Sequence, residues 1–172
     1  IGNAWYQGKI GIASEHYASS YIRGKLRAIY QAYPIRRNSP YLLLGGAPEE
    51  QHEIGALMMA VLLRHQGYRV DYLGPDLPLE DLVDHARFEK PDMIILTATT
   101  TNSALKLKPM QELLDRLKPK PIFGYGGYAF TFDIDLRRTI PGIFLGETLQ
   151  AAAEKVGDLV TQPSARAKVK SA

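Results

Sequence analysis

From residue 41 onward, short apolar runs alternate with segments of helical spacing, and this alternation constrains the fold more than any other feature of the chain. The apolar runs are continuous, and turns that contain Gly or Pro separate them from the amphipathic segments. Continuous apolar strands are typical of parallel sheets, because helices cover both faces of such a sheet. The pattern predicts strands at Tyr41–Leu44, Tyr68–Leu73, Met93–Ala98, Pro121–Tyr125 and Ile143–Leu145, and helices at Ile54–His65, Leu79–Phe88, Met110–Leu117 and Leu149–Val160.

The predicted fold class is α/β, a flavodoxin-like doubly wound sheet of five parallel strands preceded by part of a helical bundle. In such sheets, ligands bind outside the carboxyl ends of the strands. The loops to examine are therefore those that follow the predicted strands, at Gly45–Gly55, Gly74–Pro78, Thr97–Asn102 and Gly124–Gly127.

Residues 3–33 have helical spacing, with apolar side chains three to four residues apart. Gly8 and Gly11 divide the segment into two predicted helices, and Ser14 is the predicted N-cap of the second. One apolar stripe is expected to comprise Tyr17, Tyr21, Ile22, Leu26, Ile29 and Tyr30. A polar segment bracketed by prolines follows. The predicted regions are a helical cap at 1–34, a Rossmann-like binding domain at 35–163 and a flexible basic tail at 164–172.

Composition excludes several kinds of site. The 172 residues contain no cysteine, which removes disulfides, thiolate catalysis, iron–sulfur ligation and Cys-based zinc sites. The formal net charge of +3 is only mildly basic, so no direct nucleic-acid binding is expected of this region. No apolar run has the length of a bilayer span, and the chain opens on Ile1 rather than Met. We therefore expect a cytoplasmic fragment of a longer protein, without membrane contact.

The loop after the first predicted strand carries the pattern Glu50-x-His52-x-x-Gly55. An imidazole on this loop can offer one ring nitrogen to a metal while the other donates to a carboxylate, which fixes the tautomer. Gly55 would let a bulky flat ligand approach the backbone. The pattern resembles the Asp-x-His-x-x-Gly signature of cobalamin-binding modules, and the resemblance implies that His52 is the lower axial ligand of cobalt. For this peptide alone, a solvated loop histidine beside surface glutamates is the alternative.

Two further strand ends resemble the same modules, which carry Ser-x-Leu after the third strand and Gly-Gly after the fourth. Thr97 keeps the hydroxyl of the Ser and could hydrogen-bond the displaced dimethylbenzimidazole, whereas Thr99 replaces the Leu. Gly126 and Gly127 fit the close approach of the nucleotide tail. Threonines at strand ends and glycines in turns are common, so the specificity comes from the three elements together.

The helical segment carries Trp5, followed ten positions later by Glu15 and then His16. This spacing resembles the Trp-x9-Glu-His motif of light-sensing cobalamin proteins of the CarH and LitR type. The resemblance implies a helical cap in which Trp5 packs against the upper group of the cofactor and Glu15 hydrogen-bonds its ribose or adenine. A Trp at helical spacing that simply belongs to a core is the alternative. Only the latter half of the family's four-helix cap is represented.

Tyr6 stands where the family has the His that ligates cobalt after illumination. A phenol, with a reference pKa of about 10, is a poor ligand for this purpose. The resemblance therefore implies that water or His16 takes the place of that His in the illuminated state, or that a different chemistry operates.

The resemblance implies a sensory rather than an enzymatic domain, in which adenosylcobalamin is bound base-off with His52 on the cobalt. Loss of the adenosyl group in light would shift a cap or oligomer arrangement. A homo-oligomer, dimeric or higher, and an output domain for transcription regulation elsewhere in the chain are the expected partners. The alternatives are a corrinoid carrier of a methyltransferase, a photocobilin-type sensor that also binds a bilin, and a flavodoxin-like receiver. A receiver needs an Asp at the end of the third strand, where this chain has Leu96-Thr97.

Overall fold

The computed structural model describes residues 7–161. Trp5, Tyr6 and the predicted tail at 164–172 lie outside the described residues. None of the described helices is long and apolar enough to cross a membrane.

Five parallel strands alternate with helices. The strands are β1 (Tyr41–Gly46), β2 (Arg69–Gly74), β3 (Met93–Thr97), β4 (Ile122–Gly126) and β5 (Ile143–Phe144). The described helices are α1 (Ile12–Ala32), α2 (Ile54–His65), α3 (Leu79–Glu89), α4 (Thr101–Leu105), α5 (Met110–Leu114), α6 (Tyr128–Thr131), α7 (Ile134–Thr139) and α8 (Leu149–Thr161). The strand order is β2-β1-β3-β4-β5, and every neighbouring pair is parallel. The predicted doubly wound, flavodoxin-like sheet is confirmed.

Helices cover the sheet on both faces, which explains the continuous apolar runs. Leu42, Leu43 and Leu44 of β1 are all fully buried. Because successive strand residues point to opposite faces, Leu42 and Leu44 pack on the side of α2 and α8. Leu43 packs on the opposite side, among residues of α3 and α5. The two cores fix the sheet and leave the carboxyl ends of its strands open to a ligand.

In the part of the chain that the structure describes, one helix, α1, precedes the sheet and packs against α2. The prediction of Ser14 as its N-cap was wrong. The carbonyl of Gly11 accepts hydrogen bonds from the N–H groups of Ser14 and Glu15, both at 3.1 Å, so Gly11 is the N-cap and Ser14 lies within the helix. Glycine is among the residues that helices tolerate at the N-cap, where the backbone carbonyl already accepts the first helical hydrogen bond.

The predicted apolar stripe of α1 divides into two faces. Ile22, Leu26 and Tyr30 are half-buried towards the sheet domain. The side chains of Tyr17, Tyr21 and Ile29 are instead exposed, at 76%, 58% and 46%. At 3.6 residues per turn, Tyr17 and Tyr21 lie on a different face from the buried three. The prediction of one continuous stripe was therefore only partly right.

Gly127 follows β4 with a backbone that favours glycine. Its φ is +112°, and an added Cβ would lie 2.3 Å from the carbonyl oxygen of Ala98. We expect Gly127→Ala to lower the free energy of unfolding by about 1–3 kcal/mol, measured by urea denaturation. The matched control is Gly24→Ala within α1, where an added Cβ meets no atom within 4 Å. That change should be neutral or stabilise by up to about 1 kcal/mol, and equal losses for both variants would contradict the expectation.

Candidate functional site

The loop between β1 and α2 is held over the carboxyl edge of the sheet by backbone hydrogen bonds. The N–H of Ala47 donates to the carbonyl of Thr97 at 2.9 Å, and the N–H of Asp76 donates to the carbonyl of Glu50 at 3.0 Å. Asp76 also accepts from the N–H of Glu49 at 2.7 Å, and Glu49 has a left-handed backbone with φ 64°. The loop is therefore tied to both strands that flank β1, at the point where the strand order reverses.

Glu50 is a fully buried carboxylate with five hydrogen-bond contacts. One oxygen, Oε1, accepts from the backbone N–H of His52 at 2.7 Å and contacts His52 Nδ1 at 2.7 Å. The other, Oε2, accepts from the Thr99 N–H, from Thr99 Oγ1 at 2.7 Å and from Ser103 Oγ at 3.2 Å. A buried charge needs such partners, because burial without them is very costly.

The protonation of this group follows from its partners. Burial raises the pKa of Glu50, but hydrogen bonds from the backbone N–H groups of Thr99 and His52 and from their side chains outweigh it, and the pKa falls to about 2. An ionised carboxylate only accepts hydrogen bonds, so His52 Nδ1 must carry the proton and donate. In the neutral imidazole, His52 Nε2 then carries the lone pair, and within residues 7–161 it has no hydrogen-bond partner. The His52 side chain is 71% exposed, so Nε2 is available as a metal ligand.

Sequence reasoning missed one member of this group and the role of another. Thr99 is among the predicted cofactor-binding residues, at the position of the family's Leu, but its contacts with the loop were not predicted. Its N–H and hydroxyl both donate to Glu50, and its Oγ1 lies 2.9 Å from His52 Nδ1. Ser103 was not singled out. Its backbone N–H donates to the side chain of Thr100, the N-cap of α4, at 3.1 Å. The spacing of Thr100 and Ser103 is a helix-start signal, and it could have predicted that Ser103 sits beside this loop.

A cleft of about 840 Å³ opens beside His52, between α1 and the carboxyl ends of the strands. That volume lies in the upper range for small-molecule and cofactor sites. Eight of the predicted site residues line it, namely Glu15, His16, His52, Gly55, Thr97, Thr99, Gly126 and Gly127. Glu50 lies beneath His52, in contact with it. Further lining residues that the sequence did not indicate are Tyr128, Thr131, Glu147 and Thr148, from the loops and helices that follow β4 and β5.

On the cap side, Glu15 and His16 face the cleft from the first turns of α1. His16 Nδ1 lies 2.9 Å from Glu15 Oε2, and Ser19 Oγ donates to Glu15 Oε1 at 2.5 Å. The hydrogen bond from Ser19, and to a lesser degree His16, lowers the pKa of Glu15. The pair thus presents one carboxylate and one imidazole towards a ligand in the cleft.

On the sheet side, the cleft has a mostly apolar floor that leaves room for a flat group. An added Cβ at Gly55 or Gly126 would meet no atom within 4 Å, so both positions are open to the cleft. Met59, Ile95 and Leu145 line the floor. Thr97 Oγ1 faces the same space and donates to the Gly45 carbonyl at a long 3.4 Å. An apolar slot with one hydroxyl suits an aromatic base that needs one hydrogen bond.

The side chains of the cleft suit a metal ion whose other ligands come from an organic cofactor. Within the described range, no cluster of three or more His, Cys, Asp or Glu side chains could hold a metal ion. His52 Nε2 supplies a single nitrogen at the rim of a large, largely apolar cleft. A doubly wound sheet with this edge defines a class of module that binds a large metal-containing organic cofactor.

Comparison with known proteins identifies the family. Residues 41–155 match the B12 binding domain, and the chain belongs to that family. It is 32% identical over 149 residues to the HTH-type transcriptional repressor CarH of Myxococcus xanthus. The matched stretch covers 86% of this chain and 50% of the repressor. It is also 32% identical over 114 residues to the methanol–corrinoid protein of Methanosarcina barkeri, covering 66% of this chain and 43% of that protein. The chain therefore spans about half the length of these relatives, or less.

Solved structures give the same fold. The Methanosarcina barkeri monomethylamine corrinoid protein superposes with a TM-score of 0.74 at 17% identity, covering 92% of this chain and 76% of that one. The predicted kind of domain, a cobalamin-binding module similar to the CarH repressors, is confirmed by the family and the relatives.

The low pKa of Glu50 makes its contribution to stability depend on pH. The pKa in the folded chain, about 2, lies below the ordinary value of 4.5. The carboxylate therefore stabilises the fold fully above about pH 5, and this contribution is lost as the pH falls towards 2. We expect Glu50→Gln to lower the free energy of unfolding at pH 7 by about 2–3 kcal/mol. The difference from the parent chain should shrink between pH 5 and pH 2.

Denaturant titrations at several pH values measure this difference. The matched control is Glu112→Gln, an exposed carboxylate paired with Arg116, which should change stability by less than about 0.5 kcal/mol. A difference for Glu50→Gln that does not vary with pH would show that the charge of Glu50 is not what the fold requires.

Proposed function

We propose that this chain is a light-sensing domain that holds adenosylcobalamin base-off, with His52 Nε2 as the lower ligand of cobalt. The proposal rests on one juxtaposition. The His52 imidazole, fixed by Glu50, and the Glu15–His16 pair of α1 line the same cleft. A ligand bound to His52 would therefore lie beneath a helix that carries polar groups able to contact its other face.

Each part of the cleft has a role in this proposal. The open positions at Gly55 and Gly126 admit the corrin and the nucleotide tail, and the Thr97 hydroxyl binds the displaced base. Glu15 accepts hydrogen bonds from the upper adenosyl group, and its lowered pKa keeps it an acceptor at neutral pH. When bound, adenosylcobalamin supplies a cobalt–carbon bond that visible light breaks.

The sensing step would be a change in α1. With the upper group present, Glu15 and His16 have a partner and α1 is favoured in its closed position. Without that group, the differential contacts are lost and the equilibrium shifts by the same free energy. A homo-oligomer interface and an output domain elsewhere in the protein would read the shift. The repressor relative, of which this chain spans 50%, supports transcription regulation as the output. The cytoplasm is the location that goes with such an output.

A second candidate function is the corrinoid carrier of a methyltransferase. The identity of 32% to the methanol–corrinoid protein favours it. The two functions differ in what α1 does, because a carrier must release its cap to an enzyme partner, whereas a sensor must distinguish upper ligands.

A sensor that also holds a bilin is a variant of the light-sensing function. Biliverdin titrated into the loaded chain would then give a saturable new absorption band.

Loss of the imidazole should change the lower ligand of the cofactor. We expect His52→Ala to weaken cobalamin binding by at least about tenfold and to return the absorption spectrum to that of base-on or water-ligated cobalamin. The measurement is a spectrophotometric titration with hydroxocobalamin. His85→Ala, which removes an exposed histidine from α3, is the matched control and should bind as the parent chain does. An unchanged affinity and spectrum for His52→Ala would exclude His52 as the ligand.

Illumination separates the sensor from the carrier. The chain loaded with adenosylcobalamin in the dark is expected to lose the adenosyl spectrum under green light and, in the same sample, to change its oligomeric state or the hydrogen exchange of α1. The chain loaded with methylcobalamin and kept dark gives the oligomeric state and the hydrogen exchange of α1 that are expected of a carrier. Photolysis without any change in oligomeric state or in exchange of α1 would contradict sensing and leave the carrier function.

A further inference from the structure

Glu53, the residue directly after His52, connects three parts of the molecule. It is the N-cap residue of α2. Its carboxylate is only 11% exposed and accepts from Arg27 Nη2 at 2.8 Å and from the Tyr72 hydroxyl at 3.1 Å. Arg23 Nε lies 3.5 Å from its other oxygen. One side chain thus joins the His52 loop to α1 and to strand β2.

The two arginines reach Glu53 because they lie one turn apart on α1. Residues four apart share a helix face, and this face is the one that turns towards the sheet domain, next to half-buried Ile22 and Leu26. The Glu53 carboxylate is 11% exposed, whereas the two arginine side chains are 38% and 54% exposed, so solvent screens these ion pairs in part. The position of α1 along the sheet domain is therefore linked to Glu53.

The C-terminal end of α1 has a second and stronger attachment. The Tyr30 hydroxyl donates to the Val70 carbonyl at 2.8 Å and accepts from Arg64 Nη2 at 2.9 Å and from the Tyr72 N–H at 3.1 Å. Arg64 also stacks on the Tyr30 ring, 3.7 Å from its centroid. In contrast, His16, near the other end of α1, is 73% exposed. The helix is thus held by hydrogen bonds at Tyr30 and by ion pairs at Arg23 and Arg27, and it is exposed at His16.

We propose that Glu53 is a positioning residue that couples the position of α1 to the His52 loop, so that the cap discriminates between upper ligands through the Glu53–Arg23/Arg27 bridge. The inference deepens the proposed sensing function and rests on it. Glu15 lies 15 residues before Tyr30, about 22 Å along the helix axis. A small rotation about the Tyr30 attachment therefore gives its largest displacement at the end of α1 that faces the cleft. The bridge sets how easily that rotation occurs, and its carboxylate belongs to the residue next to the cobalt ligand.

The first experiment measures the position of α1 without cofactor. Because the chain has no cysteine, the substitutions Ala13→Cys and Asp84→Cys place spin labels on α1 and α3 without a background signal. We expect a narrow distance distribution in this labelled parent. Added Glu53→Gln or Arg27→Gln should broaden or shift it by about 2 Å, the size of helix shifts in switching proteins. Glu112→Gln, which breaks an exposed pair with Arg116, is the matched control and should leave it unchanged.

The second experiment measures discrimination with cofactor. The ratio of affinities for adenosylcobalamin and hydroxocobalamin is expected to fall about fivefold in Glu53→Gln, the upper range for one ion pair. The spectrum of the His52-ligated cobalt should not change. If Glu53 and Arg27 act through each other, the double variant Glu53→Gln/Arg27→Gln should lower this ratio of affinities no more than either single variant does. Arg27→Lys keeps the positive charge and should retain most of the ratio that Arg27→Gln loses.

The outcomes separate the two proposals. An unchanged distance distribution in Glu53→Gln would overturn the role of Glu53, whatever the cofactor does. Equal losses of affinity for both cobalamins, with an unchanged ratio, would also overturn it, because they indicate a purely structural residue. A labelled parent chain that gives the same distances with both cobalamins would instead overturn the sensing function, and the cofactor-free distances would still decide whether Glu53 holds α1.

Discussion

The buried carboxylate of Glu50 is the interaction on which the rest of the site depends. It lies at the point where the strand order reverses, and its five contacts come from both sides of that point. His52 contributes from the loop after β1, while Thr99 and Ser103 contribute from the segment after β3. A charge this deeply buried is stable only if all these donors stay in place. The same bonds that satisfy the charge therefore lock the two loops together and set the tautomer of the exposed imidazole.

The fold could be predicted from the sequence because its signals are local. Leu42, Leu43 and Leu44 are buried on both faces of the sheet, so the strand reads as an unbroken apolar run. Such runs in alternation with helical segments indicate a parallel sheet. The short helices α4, α6 and α7, of five, four and six residues, were not predicted. Helices of fewer than two turns are too short for a 3.6-residue period to appear in a sequence. The start of α1 was misplaced because its N-cap, Gly11, has no side chain that would mark it.

The site was predictable where a pattern lies within a few residues and unpredictable where the contacts are distant in sequence. The spacing of Glu50, His52 and Gly55 is local, and its carboxylate–imidazole contact is present as the pattern indicates. The contacts of Thr99 and Ser103 with Glu50 span 49 and 53 residues. Glu53 meets Arg27 across 26 residues. Such contacts depend on how the strands are ordered and on how α1 lies on α2, which the pattern of a single sequence does not specify.

The physical contrast between the sheet domain and α1 bears on how the molecule could respond to a ligand. The sheet is held by close-packed apolar side chains on two faces, and such packing resists small displacements. In α1, only Ser19 is buried, while Ile22, Leu26 and Tyr30 are half-buried, so apolar packing holds the helix less tightly than it holds the sheet. Ion pairs at Glu53 and hydrogen bonds at Tyr30 add to this packing, and polar contacts of this kind exchange with water at a modest net cost in free energy. The chain thus combines a rigid frame, which fixes the imidazole, with a helix whose position can be shifted by the loss of a few contacts in the cleft.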